Sequence, residues 1–140
     1  MCLFKKKFVA PADMDEQCIE LCTVLNSLPG VRTTESCCGH LRHPYRIFFN
    51  CRNFTSLAIL ARVFDRRYLP SKIQWRLVAD SSDMYPKYGF MIESIDTYKS
   101  DNDVLYDVRR IIDNINYWRM REYKAYFFTN NLKRRLTGKW

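Results

Sequence analysis

Tyr45-Arg46-Ile47-Phe48-Phe49-Asn50-Cys51 is the stretch on which the fold turns. In an extended chain Tyr45, Ile47, Phe49 and Cys51 share one face, and Arg46, Phe48, Asn50 and Arg52 share the other, because successive strand side chains alternate. The first face is apolar enough to join a core. The second mixes cations with an aromatic ring. That asymmetry predicts a sheet with one covered and one open face, the habit of antiparallel rather than parallel sheets.

Upstream, Asp13-Met14-Asp15-Glu16 has the composition of a helix start. Cys18, Ile19, Cys22, Leu25 and Leu28 then recur at helical spacing, giving a helix over 14–28 that Pro29-Gly30 ends. Val31 to Glu35, β-branched and short, reads as a strand. Downstream, Thr55 is placed to cap a second helix. Its stripe of Leu57, Leu60, Ala61, Phe64 and Tyr68 runs as far as Leu69-Pro70. Ile73, Trp75, Leu77 and Ala79 alternate with Lys72, Gln74, Arg76 and Val78 to give a third strand, and a fourth spans Tyr88 to Ile95. The segment from Asp80 to Pro86 has hairpin chemistry. Ser100 caps a third helix, whose stripe is Val104, Val108, Ile111, Ile112, Ile115 and Trp118.

The resulting order, α-β-β-α-β-β-α, predicts one α+β domain over residues 1–140. Its sheet should have four mainly antiparallel strands, with the helices on one face. Leu28-Pro29 and Pro44 recur as Leu69-Pro70 and Pro86, at offsets of 41 and 42 residues, which suggests an internal duplication.

Composition agrees with a packed core: of 140 residues 47% are hydrophobic and 15% aromatic, with only 4 Gly and 5 Pro, which excludes a disordered chain. No stretch approaches the roughly 18 apolar residues of a membrane helix, and the start lacks the order of a secretory signal. A soluble cytoplasmic protein with its six cysteines reduced is the expectation. The sequence leaves its oligomeric state open, a homo-oligomer included. Residues 1–45 balance five basic against five acidic side chains. Residues 46–100 and 101–140 each carry nine basic and five acidic ones, so these two parts hold the whole net charge of +8. An anionic partner, a nucleotide-like small molecule or RNA, suits that balance. The run Lys133-Arg134-Arg135 lies in a stretch, 129–140, that reads either as a basic arm for phosphate or as a frayed end.

Chemistry concentrates between Thr33 and Pro44, where Cys37, Cys38, His40, His43, Ser36, Glu35 and Arg42 surround Gly39. A glycine among small residues lets successive N–H groups converge on an anion, so Ser36 to His40 forms a candidate anion cradle, with Arg42 or Arg46 as counter-charge. The bland alternative is a polar turn. Thiolate and imidazole also suit zinc, with Cys37, Cys38, His40 and His43 as donors and Cys51 or Cys22 from outside. Adjacent cysteines, however, point apart and rarely share a tetrahedral ion. A cysteine nucleophile with His40 and Glu35 is a further arrangement. On the sheet, Arg46, Arg76 and Phe48 combine cations with a stacking surface, as single-stranded nucleic acid requires. The aromatic and basic residues from Tyr117 to Phe128 carry the same mixture but belong in part to the helical core stripe.

Leu25-Asn26-Ser27 leading to Arg32-Thr33-Thr34-Glu35-Ser36-Cys37-Cys38-Gly39-His40, followed by the Tyr45–Cys51 strand, resembles the tRNA wybutosine-synthesising methyltransferase family. That family's loop reads Thr-x-Ser-Ser-Cys-Ser-Gly-Arg. Thr33, Ser36, Cys37 and Gly39 match it, while Glu35, Cys38 and His40 replace the first serine of the pair, the later serine and the arginine. The resemblance covers the first two-thirds of the chain. It implies S-adenosylmethionine as methyl donor and a modified guanosine in tRNA as substrate. Replacing arginine by histidine removes a permanent charge and a bidentate fork. The loop Thr34-x-Ser36-Cys37-x-Gly39-His40 is also similar to that of small bacterial and phage proteins. In a phage, sequestration of a host nucleotide signal would suit so small a basic protein.

Together these residues favour a non-enzymatic binding module for a phosphate-bearing nucleotide or nucleic-acid segment, with no cofactor. Thr33, Ser36, Cys37, Cys38, Gly39, His40, Arg42, Arg46, Phe48 and Arg76 form its expected site. A methyltransferase using S-adenosylmethionine and a zinc-stabilised interaction module are the alternatives.

Overall fold

The computed structural model describes residues 7–80 and 89–137, with side chains placed as far as Tyr123. The elements are α1 (Glu16–Ser27), β1 (Val31–Cys37), β2 (Arg46–Cys51), α2 (Phe54–Val63), β3 (Trp75–Ala79), β4 (Gly89–Ser94) and α3 (Asp101–Thr137). The order is the expected α-β-β-α-β-β-α. The strands form one four-stranded sheet, β1-β2-β4-β3, in which every neighbouring pair is antiparallel. Two α-β-β units thus face each other across β2 and β4.

One side of that sheet is the core. Tyr45, Ile47, Phe49, Cys51, Trp75 and Ile92 are buried in a single cluster with Cys18, Leu21, Cys22 and Leu25 of α1 and with Ile59, Leu60 and Val63 of α2. The α3 stripe of Val104, Val108, Ile111, Ile112, Ile115 and Trp118 closes it. Each helix therefore places its apolar face on the same side, and among the described residues no helix packs on the opposite face of β2. No described helix is long and apolar enough to cross a membrane.

Several boundaries differ from the sequence expectation. The cap of α2 is Asn53, whose side chain accepts from the Ser56 N–H at 3.0 Å, and not Thr55, which lies inside the first turn. That helix ends at Val63. Turns built on Asp65, which accepts backbone bonds from Tyr68 and Leu69, carry the chain on to Leu69. β3 starts at Trp75, since the Lys72 and Ile73 N–H groups turn instead to the carboxylate of Asp107 on α3, at 2.7 and 3.0 Å. Ala79, expected on the apolar face, is exposed. β1 runs two residues further than expected, to Cys37. The Asp80–Pro86 hairpin lies outside the described residues from Ser81 onward.

α3 spans 37 residues, about 55 Å at 1.5 Å per residue, and carries the basic run from Lys133 on its last turns. Its aromatic and basic residues serve the fold where they are described. Arg62 of α2 stacks on the Trp118 ring at 5.0 Å and Arg121 at 5.6 Å. Arg119 donates to Ser27 Oγ at 2.6 Å, placing a cation at the C-terminal end of α1, where the helix dipole favours one.

Candidate binding face and the loop at its end

A β-bulge decides which side chains reach the open face. Thr33 pairs with Phe49 and Glu35 with Phe48, so Thr34 is the extra residue and the alternation of β1 slips there by one. Strict alternation from the buried Val31 would turn Cys37 inward. With the bulge, Ser36 pairs with Ile47 on the core side, and Cys37 pairs with Arg46 on the open side. Continuing across the sheet, Arg46 pairs with Glu93 and Glu93 with Arg76. One row across all four strands therefore reads Cys37, Arg46, Glu93, Arg76. The next reads Glu35, Phe48, Met91, Val78.

Within the first row Glu93 is the hinge of the electrostatics. Its side chain is 3% exposed, and Arg46 Nε donates to its Oε2 at 2.7 Å while Arg76 binds Oε1 through both Nε and Nη2. Burial alone would push this carboxyl up. The hydrogen bonds and charges of the two arginines outweigh it and hold the group below the ordinary glutamate range. The arginines remain about half exposed, at 48% and 57%. Glu93 thus fixes two outward-facing guanidiniums beside the partly buried Phe48 and Met91. Of the sequence-predicted residues, Arg46 and Phe48 share β2, and Arg76 of β3 joins Arg46 through Glu93 although the two strands are more than twenty residues apart in the chain.

The loop after β1 has a different occupant from the one expected. Gly39, His40 and Leu41 are consecutive residues with φ of 82, 50 and 61°, a left-handed run that folds the chain back on itself. The Gly39 carbonyl accepts from the Arg42 and His43 N–H groups at 2.9 and 3.0 Å. Asp15, which sits at the N-cap position of α1 without making a cap bond, reaches across instead. Its Oδ2 accepts from the Cys38 N–H at 3.0 Å and lies 3.4 Å from His40 Nε2. The Gly39 N–H faces Cys37 Sγ at 3.4 Å. N–H groups expected to meet an outside anion therefore meet the chain's own carboxylate and thiol. Arg42 and His43 are exposed.

Gly39 has no alternative here. A Cβ on it would collide with the His43 carbonyl oxygen, and its φ is one that side-chain-bearing residues resist. Gly39→Ala is expected to lower unfolding free energy by about 1–2 kcal/mol, read as a shift in urea midpoint at unchanged slope. A midpoint equal to wild type would mean the left-handed run is not required.

Thr33 and Ser36 face inward. Thr33 accepts from Asn26 Nδ2 at 2.7 Å and returns its N–H to Asn26 Oδ1 at 3.1 Å, so the motif threonine pins β1 to α1. Ser36 lies within hydrogen-bonding reach of the Cys18 and Cys22 thiols, whose burial pushes Cys18 up to about 12 and Cys22 in the same direction. These thiols stay protonated and inert. Cys38 is also buried and pushed up by desolvation, so its contact with His40 Nδ1 at 3.6 Å orients the imidazole without making a thiolate nucleophile. The carboxylate on that histidine is Asp15, not Glu35, which is exposed opposite Phe48. Cys22 and Cys51, suggested as outside zinc donors, lie in the core.

Two residues that shape the site carried no distinctive signal. Glu93 is a single charge in an apolar strand, and Asp15 reads as a helix-start residue. Only cross-strand register reveals the first, and only the left-handed loop reveals the second. No family model, curated protein or solved structure matches the chain.

Proposed function

We propose that the open face of the sheet is a binding surface for a phosphate-bearing nucleotide or a short single-stranded RNA segment, without catalysis. The observation that carries this reading is the pair of guanidiniums, Arg46 and Arg76, held by Glu93 in the row next to Phe48, on the side of the sheet away from the described helices. Phosphate oxygens meet the half-exposed arginines, and a base stacks on the Phe48 ring, the division of labour that sequence-tolerant single-strand binding uses. The chain's net charge of +8 adds long-range attraction. The loop from Ser36 to His40 contributes position, not an anion cradle, because Asp15 engages the Cys38 N–H.

Fluorescence anisotropy with a labelled single-stranded RNA, competed by free nucleotides, tests this. Arg46→Ala is expected to weaken binding about tenfold and to flatten its salt dependence by about one phosphate contact. Phe48→Leu keeps a partly buried apolar side chain but loses stacking worth about 1–3 kcal/mol. Affinities equal to wild type in both variants, with the fold intact by circular dichroism, would remove the open face as the binding surface.

A further inference from the structure

We infer that Asp15, Cys37 and His40 form a binding site for a divalent cation of the zinc class. The site adjoins the end of the arginine row but does not depend on the nucleotide reading. One carboxylate oxygen, one thiol sulfur and one imidazole nitrogen, drawn from two segments more than twenty residues apart, lie within 4.8 Å of one another. The Asp15 Oδ2 to His40 Nε2 separation of 3.4 Å is already close to the edge of a zinc tetrahedron, about 3.3 Å for bonds near 2.0 Å. The sulfur lies within 4.8 Å of both, against a tetrahedral sulfur-to-oxygen or sulfur-to-nitrogen edge of about 3.5 Å.

The surrounding structure prepares each donor. The bulge at Thr34 turns Cys37 out of the core, as its pairing with Arg46 shows. The left-handed residues 39–41 fold His40 back over Asp15. Cys38 Sγ, 3.6 Å from Nδ1, holds the other ring nitrogen, the supporting contact that metal-binding imidazoles commonly use to fix their orientation. The Cys38 N–H on Oδ2 holds the carboxylate, which keeps further lone pairs for a metal. Mixed oxygen, nitrogen and sulfur donors suit zinc, and cobalt as its spectroscopic substitute, better than the hard cations magnesium and calcium. On binding, the Cys37 thiol gives its proton to solvent and the thiolate bonds the ion, with Asp15 entering as carboxylate and His40 as neutral imidazole. Three protein donors leave the fourth position to water.

This donor set differs from one built on the loop alone: Asp15 replaces His43, and only one of the two adjacent cysteines takes part. Equilibrium dialysis of the full chain with zinc, read by elemental analysis, is expected to give one ion per chain. Cobalt is expected to give a thiolate-to-metal charge-transfer band. Cys37→Ser should abolish that band, and Asp15→Asn, which retains an acceptor for the Cys38 N–H, should lower zinc affinity at least tenfold with the fold intact by circular dichroism. His40→Asn, a residue that tolerates the left-handed backbone, should do the same. His43→Ala should bind as wild type does. Failure of the wild-type chain to hold zinc, or binding that survives Cys37→Ser and Asp15→Asn but is lost in His43→Ala, would overturn the assignment.

Discussion

Asp107→Ala is expected to remove about 3–4 kcal/mol of unfolding free energy, the largest loss from any single polar replacement in this fold. Asp107 is completely buried on α3, and its two oxygens accept three bonds: Lys72 N–H at 2.7 Å, Ile73 N–H at 3.0 Å and Tyr98 Oη at 2.6 Å. Tyr98 Oη in turn accepts from Trp75 Nε1 at 2.7 Å. Alanine strands the Tyr98 hydroxyl in an apolar setting and frees the chain entering β3. The damage spreads because Trp75 packs against Tyr45 of the central strand region, at 5.2 Å between ring centroids, and against Phe64, at 6.0 Å. Asp107→Asn keeps the shape but exchanges one acceptor for a donor, so a smaller loss of about 2 kcal/mol is expected. Urea unfolding followed by tryptophan fluorescence measures both. A loss below about 1 kcal/mol for the alanine variant would mean that water replaces the carboxylate, and that the network does not organise β3.

Asp107 also marks where sequence reading stops. The apolar stripe of α3 is legible because six residues repeat at helical spacing and all six are buried. The alternation of β2 is legible for the same reason, with Ile47, Phe49 and Cys51 buried and Arg46 exposed. Asp107 lies beside that stripe, and nothing local distinguishes a buried acceptor from a solvated one, since its three donors come from segments that topology alone brings near. The end of α2 is not legible because Phe64 and Tyr68 prolong the apolar spacing beyond Val63, although only Phe64 of the two is buried. The chain there satisfies its burial through turns instead of helix. The bulge at Thr34 has no signature in Thr33-Thr34-Glu35-Ser36, yet it decides that Ser36 serves the core while Cys37 reaches the open side. Residue types of the site were therefore legible, and Arg46, Phe48 and Arg76 do converge. The partners that fix them, Glu93 and Asp15, follow from register and loop closure, which are non-local.

Glu93→Gln is expected to move stability and binding in opposite directions, which separates the two roles of the arginine row. Glutamine keeps the shape and one acceptor but loses the charge that both guanidiniums engage, so stability falls by about 2 kcal/mol near neutral pH. The pH dependence has a definite sign. The folded-state carboxyl of Glu93 lies below its ordinary value, so its contribution is complete above the ordinary glutamate range, about 4.3, and is lost as pH falls through the lowered folded value. The gap between wild type and variant should therefore stay constant from pH 7 to about 5 and narrow below that. Binding follows from charge: with the carboxylate gone, the row Arg46, residue 93 and Arg76 carries two positive charges in place of one, and the arginines no longer spend their N–H groups on an internal anion. Affinity for a single-stranded RNA should rise several-fold at low salt, with a steeper salt dependence. Lower affinity at undiminished stability would instead mean that Glu93 orients the guanidiniums for the ligand, and that pre-organisation outweighs charge in this row. A gap that persists unchanged to pH 3 would show that the pair with Arg46 and Arg76 is not what holds Glu93 in its buried, ionised state.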